Sequence, residues 1–352
     1  MTLTPHFRDS SRVIAIVALL LGGSRDIALT QSPRLEYRVV FANARELGRR
    51  LDDAGQQGFS CAMVARPEPD TSVPGVVVVL SRPVGGAAAP VAHRVIKGGG
   101  PDLAPLLDRA GAENFRLCGV AVDEETPAPA IVAVMAQSPQ AWKYGAEALT
   151  DYRGAISRLN AAGKEGFAPV AASPINNNRV PSLRSWVVFT ERPAAGRSQV
   201  EVAVRSGSGP DRLQTSLVEQ SAQGYRAAVA WKEGNDFVVM MTRATGGSPA
   251  SVSYTVDTLT SAGIHGVSRP YIFDAPYLSD QRVVIAEKER LVSNEAVEDP
   301  LPPLGGLGYA ASGPLGTMSD HLSRMHDYVV VSVAVRRGDR GVLVLRTVLT
   351  HQ

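Results

Sequence analysis

Residues 47–59 read LGRRLDDAGQQGF, and the same punctuation returns three times downstream, as LDRAGAENF at 107–115, LNAAGKEGF at 159–167 and LVEQSAQGY at 217–225. Leu47, Leu51 and Ala54 fall at helical spacing and make one apolar stripe, so the segment predicts a helix. Gly58 then supplies the left-handed residue that ends it, and Phe59 opens a strand. Asn114 replaces the glycine in the second copy, and Asn is the other residue type that tolerates this conformation, which supports a cap over coincidence. The aromatic recurs at separations of 56, 52 and 58 residues. A period of about 55 residues is the signature of a tandem array.

The surroundings of each junction repeat as well. Extended segments precede the helix at 35–41 (LEYRVVF), 93–97 (HRVIK), 142–147 and 200–204 (VEVAV). Two β-rich runs follow it, the second being the more apolar: 76–80 (VVVVL), 131–135 (IVAVM), 186–189 (WVVF), 237–241 (FVVMM), 283–285 and 342–345. The expected fold class is α+β, a tandem array of about six β-α-β-β repeats, each an antiparallel three-stranded sheet with one helix. The repeats are placed at 34–86, 91–139, 141–194 and 198–245, with degenerate copies at 249–290 and 309–352. Residues 259–267 (LTSAGIHGV) keep the junction but leave little room for a first strand, and the last copy offers a short helix at 319–326 and a terminal hairpin across 337–339. Residues 291–308, ending in a Pro/Gly-rich stretch, read as a linker. One repeat alone would expose a helix face and a sheet edge, so neighbours must pack or pair.

Composition is ordinary for a globular chain, with 44% hydrophobic and 20% charged residues. Lys+Arg (36) and Asp+Glu (34) nearly cancel to a net charge of +2, with no run of five or six like charges, which argues against a nucleic-acid partner. Arg8 and Arg12 precede the apolar run 13–21 and the small residues Gly22, Gly23 and Ser24, the order of a signal peptide within residues 1–30. The run is too short for a bilayer core, which needs about twenty residues, so the mature chain is expected to lack a transmembrane span. Cys61 lies two residues past Phe59 and Cys118 three past Phe115. One bridge between them is possible, but that difference in parity puts them on opposite sheet faces if the repeats superimpose, which favours two buried free thiols.

The pattern of Tyr37-Arg38-Val39-Val40, Leu159-Asn160 with Gly166-Phe167, and a valine run ending at Arg82 resembles a family of short bacterial β-α-β-β domains of unknown function, usually single copies. The resemblance covers the first four repeats well and the last two weakly. It implies a fold, and brings no catalytic residues.

Candidate chemistry is sparse. Arg82, Arg192, Arg243 and Arg346 each follow or end the last strand of a repeat and form a weak candidate ladder for anions; the competing reading is a charge that blunts a strand edge. Asp320, His321, His326 and Asp327 cluster, but the histidines are five apart and do not share a helix face. Residues 306–311 (GLGYAA) match a dinucleotide fingerprint in letters only, since they follow prolines instead of a strand. Residues 97–101 (KGGGP) lack the Lys-Ser/Thr of a phosphate loop, and no G-x-S-x-G is present. Trp142, Trp186 and Trp231 fit core or inter-repeat packing better than sugar platforms. The expectation is a non-enzymatic exported protein, periplasmic or extracellular, without metal or cofactor, free to oligomerise and partnered by a protein or envelope component. A cell-wall glycan binder is the alternative, and an enzyme with a site between repeats the next.

Overall fold

The computed structural model describes residues 35–64, 66–67, 75–85, 89–123, 130–149, 152–175, 185–196, 198–233, 236–246, 253–259, 275–278, 281–288, 294–300, 328–337 and 343–351. The signal-like segment, residues 260–274 and the cluster at 320–327 lie outside these.

The first sheet is built from β1 (Leu35–Ala42), β2 (Ser60–Val64) and β4 (Val76–Pro83), with α1 (Leu47–Gly55) between its first two strands and the short β3 (Arg66–Pro67) continuing β2. The second comprises β5 (His93–Gly98), α2 (Leu103–Ala112), β6 (Phe115–Asp123) and β7 (Ala130–Gln137). The third comprises β8 (Trp142–Leu149), α3 (Tyr152–Lys164), β9 (Ala168–Ile175) and β10 (Ser185–Pro193). The fourth comprises β11 (Val200–Gly207), α4 (Pro210–Ser221), β12 (Arg226–Glu233) and β13 (Asp236–Ala244). In all four the apolar third strand lies in the middle, antiparallel to both neighbours, in the orders β1-β4-β2, β5-β7-β6, β8-β10-β9 and β11-β13-β12. The two outer strands are therefore parallel to each other, which is why a helix must return the chain between them.

Two further sheets follow the same order: β14 (Ser253–Leu259), β15 (Ala275–Leu278) and β16 (Gln281–Lys288) as β14-β16-β15, then β17 (Asn294–Pro300), β18 (Tyr328–Arg337) and β19 (Leu343–His351) as β17-β19-β18. Two expectations need correcting here. β14 occupies the place where little room for a strand was expected. Asn294–Pro300, read as the start of a linker, is a strand paired with β19 from Asn294↔Thr350 to Pro300↔Val344. The alternating apolar signal there is interrupted by Glu295, Glu298 and Asp299, which hid the strand. The terminal hairpin stands, with Arg337 opposite Leu343.

Gly58, Gly166 and Gly224 have φ of 79°, 92° and 85°, and Asn114 has 67°, so the helix exits take the left-handed conformation that the glycine pattern predicts. Just beyond, the second strand of a sheet skips one residue against the central strand: Ala62, Cys118, Val170, Ala228 and Val331 are the residues passed over. Each is a β-bulge three residues past the aromatic.

The first five sheets stack in chain order, each described helix lying on the first strand of the next sheet: α1 on β5, α2 on β8, α3 on β11 and α4 on β14. The cores accordingly lie between sheets. Val76, Val78 and Leu80 of β4 pack with Leu47 and Leu51 of α1 and with Val132 and Val134 of β7. The alternate residues of β7, Ile131, Ala133 and Met135, pack with α2 and with Val187 and Phe189 of β10. The central strands β4, β7, β10 and β13 are thus buried on both faces, and the side chains of β7 serve two cores in turn. No described helix is long and apolar enough to cross a membrane.

Candidate functional site

The recurring arginines sit at the helix exits. Arg82 stacks over Phe59 at 4.4 Å from the ring centre, Arg192 over Phe167 at 5.0 Å and Arg243 over Tyr225 at 4.6 Å. Arg82 also donates to the carbonyl of Gln57 at 2.7 Å and pairs with Glu36, while Arg243 donates to the carbonyl of Gln223 at 3.1 Å and pairs with Glu201. These carbonyls belong to the turn that ends each helix, so the guanidinium caps the turn and covers the ring that follows it. Arg243 and the Tyr225 hydroxyl both donate to Glu201, and these bonds hold its carboxyl below the usual range. Arg192 is buried and donates to the carbonyl of Pro193. In the second sheet Gln137 stands where Arg82 would, and Arg94 from the first strand takes over, lying 4.3 Å from the Phe115 ring and pairing with Glu113.

Arg346 does not belong to this set. It is the fourth residue of β19, opposite Glu298 and Ala334, and the strand runs on to His351, so its position differs from that of Arg82 near the end of β4. Valine spacing alone misplaced it because the last strand is apolar on both sides of it. The backbone thus gives the four arginines no single rim.

A buried set of titratable groups converges where the second and third sheets meet. Arg116, one residue past Phe115, donates twice to Oε1 of Glu191 at 2.9 and 2.8 Å and lies 4.2 Å from the Trp142 ring. Glu191 is only 5% exposed. Burial raises its carboxyl above the usual range, with Arg116 opposing. Tyr144, opposite Glu191 on β8, accepts from the Leu117 amide at 2.7 Å, beside the bulge, and its phenol is raised by burial and by Glu191. Tyr254 repeats this contact one interface later but one, accepting from the Ala227 amide at 2.8 Å. An acid, a cation and a phenol are assembled here, yet each is engaged across a packed interface.

Backbone edges are treated alike. Asp108 of α2 accepts from the Tyr144 amide at 3.0 Å, and Asn160 of α3 both accepts from the Val202 amide at 2.8 Å and donates to the Val202 carbonyl at 3.0 Å. The side-chain amide imitates a neighbouring strand and occupies an edge that would otherwise be open to pairing. Gly55, Gly111 and Gly163 let the next strand approach: a Cβ at these positions would lie 2.0, 2.4 and 2.1 Å from the carbonyl oxygens of Val91, Trp142 and Val200. Sequence reasoning passed over these contacts, though the repeated Ala-Gly inside a helix was the available signal, since glycine there costs about 1 kcal/mol and so asks for a packing reason.

The cysteines correct an expectation. Cys61 and Cys118 form a disulfide, with Cα atoms 6.2 Å apart. Their opposite parity is real, but stacked sheets meet back to front, so the own-helix face of one meets the far face of the next. Both cysteines pack on the same core. Trp142 and Trp231 are buried, and Trp231 stacks with Trp186 at 5.8 Å. Among the described residues no three His, Cys, Asp or Glu side chains are grouped to hold a metal ion.

Nothing matches this chain among protein-family models, curated proteins or solved structures.

Proposed function

We propose that the chain is a non-enzymatic exported protein of six tandem β-α-β-β units, of the kind the resemblance to short bacterial domains implies, serving as a binding or structural subunit in the cell envelope or outside the cell. The observation that carries this reading is that side chains capable of chemistry are engaged in joining units or in capping turns within them. Arg116 and Glu191 pair across an interface, Asp108 and Asn160 hold strand edges, and Arg82 and Arg243 cap turns. The unit count is supported by the sheets, all six of which take the order first, third, second strand.

Export is supported by the Cys61–Cys118 bridge, because cytosolic reductants keep thiols reduced while the periplasm and exterior let disulfides persist. The signal-like order of the first residues agrees with it. A glycan platform would want aromatic rings at the surface, and two of the three tryptophans are buried.

The full chain, expressed in a bacterial host with its N-terminal segment, should be recovered in the periplasm or medium. Affinity capture from envelope extracts should return the same partner reproducibly, and sedimentation with cell-wall sacculi should leave the protein in solution. A plain monomer that captures no specific partner would overturn the reading.

A further inference from the structure

In an open array no other described sheet would lie against the far face of the first sheet. Instead that face is buried: Tyr37, Val39 and Phe41 on β1 and Val77 and Val79 on β4 are 2%, 4%, 0%, 1% and 0% exposed. Their neighbours Val76, Val78 and Leu80 point to the core shared with α1, so the two sets face opposite ways and both are covered. In the second, third and fourth sheets the equivalent face is covered by the sheet and helix before it. The last sheet also touches the first directly. β3 pairs parallel with β18, Ala334 opposite Arg66 and Val335 opposite Pro67, making a four-stranded sheet β17-β19-β18-β3.

We propose that the chain closes into a ring, and that the Cys61–Cys118 disulfide controls the seam at which it closes. Five of the six junctions are spanned by continuous chain, whereas last and first sheets meet through the β3–β18 pair and the approach of β18 to β2. β3 directly continues β2, and β2 carries Cys61, so the bridge to Cys118 on β6 fixes the strand that supplies the latch. β3 also lies against β6. Both cysteines are half-buried, leaving the bridge open to a small dithiol. In that reaction the S–S bond breaks, two thiols form by uptake of two electrons and two protons, and the dithiol leaves as its cyclic disulfide. β2 then loses its tether to β6, and the latch loosens while the covalently continuous junctions stay shut.

The test is hydrogen exchange on the full chain, oxidised and after treatment with dithiothreitol, alongside the C61S/C118S variant. Exchange in β18 and in the far-face strand β1 should rise on reduction by about tenfold or more over that in β13, the internal control. The variant should behave like the reduced protein. Adding P67C/V335C, whose positions are register partners, to C61S/C118S should restore protection of β18 under oxidising conditions. Unchanged β18 exchange on verified reduction would overturn the control by the bridge. Exchange of β1 at the rate of a free surface in the oxidised protein would overturn the ring.

Discussion

A methyl group at Gly163 would lie 2.1 Å from the carbonyl oxygen of Val200, backbone of the next sheet that cannot swing aside. Gly163→Ala should therefore push α3 off β11 and cost about 1–3 kcal/mol as overpacking does. Gly48, also helical, has nothing within 4 Å of its would-be Cβ, and Gly48→Ala should stabilise by about 0.5–1 kcal/mol. Urea midpoints of the two variants should move in opposite directions. His93, buried where the first and second sheets meet, stands at the position that Tyr144 takes in the third. Burial lowers its pKa from the ordinary 6.5, with Asp52 and the Leu51 carbonyl opposing. The folded protein thus refuses a proton that the unfolded chain accepts. Stability contributed by neutral His93 is complete above the ordinary pKa and is lost as pH falls from there through the lowered one. His93→Phe should shrink the drop in urea midpoint between about pH 7.5 and 5.5.

At the scale of elements, the recurring Asp or Asn after the junction leucine joins a helix to a strand edge. Asn160→Ala removes both partners of Val202 at once and should cost about 1–3 kcal/mol, with amide exchange in β11 rising more than in β8. Asn160→Asp keeps the acceptor for the Val202 amide and loses the donor to its carbonyl, so its effect should be intermediate. α4 has Val218 at this position, largely exposed, so the junction between fourth and fifth sheets relies on Tyr254 and the apolar core instead. The helix exits and the first and third strands of the early repeats were largely legible, because capping and side-chain period are local properties, whereas the bulges in the second strands carry no local signal that was read. β17 was not, because its acidic residues interrupt the apolar alternation, and Arg346 was misplaced because its strand extends further than its valines suggest.

For the whole molecule, a stack in which every core lies between sheets has no spare surface at which to end. A chain cut after residue 246 would uncover Leu213, Leu217 and Phe237 on one side, which Tyr254 helps to cover, and the far face of the first sheet on the other. Such a fragment should fail to give a cooperative monomer and should aggregate, as chromatography and a dye for exposed apolar surface would show. A well-folded, monomeric fragment would mean that the first four sheets support one another without help from the last two.

The amino-acid order by itself determined what depends on near neighbours: the period, the helix that each Leu and Ala stripe makes, the left-handed exit at Gly58 and Asn114, and which side chains share a strand face. Tertiary structure alone decided which face meets which. Parity correctly set Cys61 and Cys118 on opposite faces, yet those are the faces that stacking brings together, because each sheet turns its back to the front of the one before. Likewise Arg116 meets Glu191, 75 residues on, only because two sheets pack. Such contacts follow from the burial of whole surfaces, to which no single stretch of sequence holds the key.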